Sequence, residues 1–149
     1  MRHFDELDKR LDYIEFRQEL LFENTDLTRL LFEYEIDRKQ YKKIMDLMEA
    51  YRKKLDNKES VNHGTFETEM FRIVPECHED YHMCEYIARA FMDEHRWEEV
   101  FPALYGDMPK YKFLKTTEMI QFYDRITDKK ILIDIYCATE IVINEKKQE

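Results

Sequence analysis

The chain has 149 residues, of which 44% are apolar, 14% aromatic and 38% charged, so it carries enough apolar material for one globular core. Two glycines (Gly64 and Gly106), three prolines and a single serine, Ser60, exclude glycine-rich phosphate loops and the GxSxG nucleophile turn, and they disfavour sheets joined by tight turns. The net charge of −9 is concentrated in residues 61–109, which hold three basic against eleven acidic side chains; an acidic surface of that kind repels nucleic acid and anionic lipid and attracts cations or basic partners.

Residues 4–22 read as a helix. Phe4, Leu7, Leu11, Ile14, Gln18 and Leu21 recur in alternating three- and four-residue steps, the a/d seam of a coiled coil about two and a half heptads long. A helix this short is marginal in water without a partner surface. Gln18 within the seam lowers stability but can fix register. Phe16, Leu20 and Phe22 fall off the seam, so this helix should touch more than one neighbour. A turn at Asn24-Thr25-Asp26 restarts the helix, with Leu27, Leu30, Leu31 and Tyr34 on one side. Asp37 followed by Gln40 has the form of a capping box. The helix it starts carries Tyr41, Ile44, Met45, Met48, Tyr51 and Leu55 three to four apart.

Residues 56–64 read as a loop, and Gly64-Thr65 opens a short helix that Pro75 stops. The spacing predicts a further helix over 79–93, with Cys84, Ile87, Ala88 and Phe91 on one stripe. Trp97, Val100, Phe101 and Leu104 form another, with Pro102 in its first turn or at a kink and Gly106 at its end. Thr116-Thr117 suits the start of a helix carrying Met119, Ile120, Phe122, Tyr123 and Ile126. Segment 128–144 alternates as a strand does, through Ile131, Ile133, Ile135, Cys137, Thr139, Ile141 and Ile143. Its even positions are mostly apolar too, and no glycine or proline breaks it, so a buried or interface helix is favoured over a strand that pairs with another chain.

These elements predict an all-α chain, a compact bundle of about six to eight helices in a single domain spanning 1–149. Residues 110–149 are expected to pack on, or to exchange with, a partner chain. Three cysteines in no disulfide spacing, no leader-like N-terminus and no long uncharged run lead us to expect a reduced, cytoplasmic protein off the membrane.

The Leu11-Asp12-Tyr13-Ile14 helix, the long charged helix ending near Tyr51, the Thr65-Phe66 start and the Trp97-Glu98-Glu99-Val100-Phe101 segment follow one another in an order that resembles the YhaI-like helical proteins of Bacillus and its relatives. The likeness spans residues 4–105. It implies a compact, self-associating helical fold and brings no activity or catalytic residue.

Several clusters invite a chemical reading. His78, His82 and Cys84 lie in the densest run of ligand-type side chains. His78 and His82 would share a face if helical, but zinc needs further ligands from elsewhere, such as His63 or His95. The Glu79-Asp80-Tyr81-His82 form of a di-iron ligand pair lacks its second copy, because Met92 stands where glutamate is needed in Met92-Asp93-Glu94-His95. Cys77 near a helix start beside His78 has the outline of a nucleophile, opposed by Glu76, Glu79 and Asp80. Arg38, Lys39, Lys42, Lys43, Arg52, Lys53 and Lys54, interleaved with Tyr41 and Tyr51, could form a phosphate-binding stripe or a plain solvent face. Glu67, Glu69, Glu79, Asp80, Glu94, Glu98 and Glu99, if they converge, would make an acidic face able to mimic a nucleic-acid backbone toward a basic partner, as phage inhibitors do. The richness in Met, Phe and Tyr favours a different reading: a non-enzymatic homodimer without cofactor, joined through the Phe4–Leu21 seam and the 131–143 segment and burying about 1,200–2,000 Å2.

Overall fold

The computed structural model describes residues 5–112. Phe4, the helix expected after Thr117 and segment 128–144 lie outside the described residues. Contacts divide the chain after Asp107. The described residues hold six α-helices, two short 3-10 turns and no strand, an all-α fold.

The helices are α1 (Leu7–Glu23), α2 (Asp26–Glu33), α3 (Arg38–Asp56), α4 (His63–Ile73), α5 (Tyr81–Asp93) and α6 (Val100–Tyr105). Their starts are set by side chains that satisfy the open backbone N–H groups of a first turn. Thr25 and Thr28 cap α2 reciprocally, at 3.1 and 2.8 Å. The Asp37 carboxylate accepts from Gln40 N at 2.7 Å, and Gln40 Oε1 accepts from Asp37 N at 3.1 Å, which completes the box expected at α3. Gln40 does more than cap. Its buried amide donates to the Ile73 carbonyl and to Glu76 Oε2, both at 3.2 Å, so the start of α3 is tied to the end of α4. Asn62, and not Gly64, caps α4, through a 2.9 Å bond from Thr65 N. Pro75 ends that helix as expected and opens a 3-10 turn, Pro75–Cys77.

The scarcity of glycine has a structural consequence. Helix ends commonly close on a left-handed residue, and glycine adopts that conformation without steric penalty. Here Asn24, Glu35, Lys58, Glu79, His95 and Trp97 take it instead, with φ between 49 and 70°. Gly106 does not: its φ is −61°, and it is required because a Cβ there would collide with the Pro102 carbonyl oxygen.

Helix α5 forms the centre. Met83, Cys84, Ile87, Ala88, Ala90 and Phe91 are buried on it, and it packs against α2, α4 and α6. A column of rings crosses the core beside it. Phe16 of α1 stacks on Tyr41 of α3 (6.1 Å), Tyr41 on Phe91 of α5 (6.4 Å), and Phe91 meets the edge of Trp97 (5.1 Å). The Arg96 guanidinium lies 5.0 Å from both the Phe91 and Trp97 rings and donates to the Tyr41 hydroxyl at 3.1 Å.

Trp97 is held further by its indole N–H, which donates to Glu49 Oε2 at 2.8 Å. That bond and the stronger one from Arg52 hold the Glu49 carboxyl at about 2, below its ordinary 4.5. A depressed carboxyl contributes stability above its ordinary range and loses it as pH falls toward the folded value. Emission from Trp97, the single tryptophan, should therefore hold steady from pH 7 to about 4.5 and change below it. Glu49→Gln should flatten that acid change, and an unaltered profile would show that the link carries nothing.

Candidate interaction surface

Helix α1 has two apolar stripes on nearly opposite sides. At 100° per residue, Tyr13, Phe16 and Leu20 share one side, and Leu7, Leu11, Ile14, Gln18 and Leu21 share the other. The first stripe is buried. It packs on α2 and on the Tyr41 ring of α3. The a/d seam faces away from that core: Leu7 is 69% exposed, Leu11 53%, Ile14 44% and Leu21 59%, with Gln18 exposed among them. Phe22, which the sequence placed against another neighbour, is 92% exposed and flanks the stripe one turn after Gln18. Its place four residues after Gln18 was the available signal. Phe16 and Leu20 do pack inward, as expected of residues off the seam.

The inner stripe is fixed by polar contacts that sequence spacing did not reveal. Arg17 donates to the Phe32 carbonyl at 3.0 Å and to the Tyr13 hydroxyl at 3.2 Å, with its guanidinium 3.7 Å from the Phe32 ring centre. Arg38 of α3 reaches back to Glu19 through a fork at 2.9 and 3.0 Å and to Asp12 at 3.3 Å. The hydrogen bond to Glu19 is the main cause that lowers the Glu19 carboxyl from its usual range. Helix α1 is thus oriented by its own chain, with the seam turned out.

The seven carboxylates expected on one acidic face stand in different surroundings. Glu67 is buried, because the Tyr105 hydroxyl inside the core donates to it at 3.0 Å. Burial, with the Glu67 charge, raises the Tyr105 phenol and holds it protonated. Glu67 is thus a core residue and no part of a surface face. Glu69 lies half-buried, its charge helping burial to raise the Tyr51 phenol. Asp80 is used as the cap of α5, accepting from Met83 N at 3.0 Å. Glu79 is exposed in the left-handed turn before it. Glu94 lies 3.8 Å from Arg96, Glu98 meets His95 Nδ1 at 2.7 Å, and Glu99 stands exposed before α6.

The helix expected to begin at 79 begins at Tyr81, so His78 and His82 do not share a helical face and Cys77 is not at a helix start. His78 tilts on the Phe71 ring at 5.5 Å, and His82 stacks on Tyr86 at 5.7 Å. Cys84 is enclosed in the core, where burial, then the Glu67 charge, pushes its thiol up to about 12. Among the described residues, no three His, Cys, Asp or Glu side chains are grouped to hold a metal ion. The basic run is partly neutralised in place: Arg38 by Glu19 and Asp12, and Arg52 by Glu49 and by Asp56 at 2.9 Å. Arg38, Lys39 and Lys42 line a groove of about 730 Å3 together with Asp12, Glu19 and Glu23, a mixed lining with no single sign.

Among the described residues, no helix is long and apolar enough to cross a membrane. No family model, no curated protein and no solved structure matches the chain.

Proposed function

We propose that this protein is a non-catalytic interaction protein whose working unit is a homodimer joined through the outer stripe of α1. One observation carries the reading: four large apolar side chains at a/d spacing, Leu7, Leu11, Ile14 and Leu21, stand exposed on a helix that its own core already orients. Each side chain removed from water contributes about 1.5–3 kcal/mol when fully buried. An isolated helix of this length would lose much of that gain to its own ordering, but α1 is ordered before it meets a partner. The resemblance to YhaI-like proteins, which implies self-association, agrees in kind.

Co-expression of a tagged and an untagged copy tests the reading. The tagged chain should capture the untagged one in high salt, because an apolar seam is little screened. Failure of capture at both low and high salt would overturn it.

A further inference from the structure

The charges that flank the seam distinguish one arrangement of two copies from the other, an inference that rests on the dimer proposed above. With Leu11 and Gln18 at a and Leu7, Ile14 and Leu21 at d, the g positions are Arg10 and Arg17, and the e positions are Asp8, Glu15 and Phe22. In a parallel pair, each g residue faces the e residue five positions later on the second copy. Arg10 then faces Glu15 of the second copy, twice over by symmetry. Among the described residues, Arg10, Asp8 and Glu15 make no ion pair within their own chain. In an antiparallel pair, g faces g and e faces e. Arg10 then meets Arg17, and Asp8 meets Glu15, so every flanking charge opposes its like.

The seam itself agrees. A parallel, in-register pair brings Gln18 against Gln18, where two amides can bond each other. An antiparallel pair centred between Leu11 and Ile14 sets Gln18 against Leu7, which buries an amide with no partner. In the parallel pair Arg17 stands opposite Phe22 of the second copy, its charge kept and its guanidinium bound to its own Phe32 carbonyl, so that end adds apolar cover and no repulsion.

We infer that two copies of this chain associate with their α1 helices parallel and in register, held by reciprocal Arg10–Glu15 pairs and a Gln18–Gln18 contact across the seam.

Sedimentation equilibrium of the full chain, Arg10→Glu, Glu15→Arg and the double swap tests this at low salt. In the parallel pair each single change replaces two attractions with two repulsions and should weaken the dimer about tenfold, while the double swap should return to within about threefold of the original. In the antiparallel pair Arg10→Glu would create attractions to Arg17 and tighten the dimer. Tightening, or no change, with the parent chain dimeric would overturn the orientation and leave self-association standing. A monomeric parent chain would instead overturn the dimer and the orientation with it. Far-UV circular dichroism and melting of each variant at dilute concentration separate loss of pairing from loss of fold.

Discussion

Phe91→Ala should destabilise the fold by about 3–5 kcal/mol, enough to leave a domain of ordinary stability close to unfolding. Phe91 is fully buried on the central helix and is the ring through which α1, α3 and the Trp97 turn communicate. Removing it opens a void between Tyr41 and Trp97 that backbone cannot fill, because α5 is packed on three other helices. It also leaves the Arg96 guanidinium without one of its two ring faces. Urea denaturation followed by Trp97 emission measures the change. A loss below about 1 kcal/mol would mean that the site collapses freely and that the ring column does not organise the core.

Leu11→Asp with Ile14→Asp should have the opposite profile. Both side chains are already exposed in the single chain, so the fold should keep its stability to within about 1 kcal/mol at dilute concentration. In the proposed dimer four carboxylates would enter the seam in place of four apolar side chains, and dissociation should rise at least a thousandfold, from roughly 1 kcal/mol or more lost per side chain. Intact folding with lost association identifies an interface; a fall in the melting temperature of the dilute chain would place these residues in the core of their own chain.

Much of the fold could be read from side chains that act locally. The Asp37–Gln40 box and the three-to-four spacing after it name α3, because capping and amphipathicity depend only on near neighbours. The turn at Asn24-Thr25 and the stop at Pro75 are of the same kind. What could not be read was decided by tertiary partners. Two apolar stripes on α1 are equally plain in the sequence, and which one turns inward depends on Tyr41 and on Arg38 reaching Glu19. Glu67 looks like a surface glutamate until Tyr105, 38 positions away, arrives to bond it. The start of α5 slipped from 79 to 81 because Glu79 takes a left-handed turn, a conformation the sequence pattern assigns to glycine or asparagine. With Glu79 in that turn, His78 lies outside the helix and shares no face with His82.

The mass of the native chain in solution is the most direct test. Sedimentation equilibrium from about 1 to 100 μM, a span that reads association free energies of about −8 kcal/mol, should give about 37 kDa at the upper end, twice the 18.5 kDa of one chain. A mass of 18.5 kDa throughout that range would contradict the account.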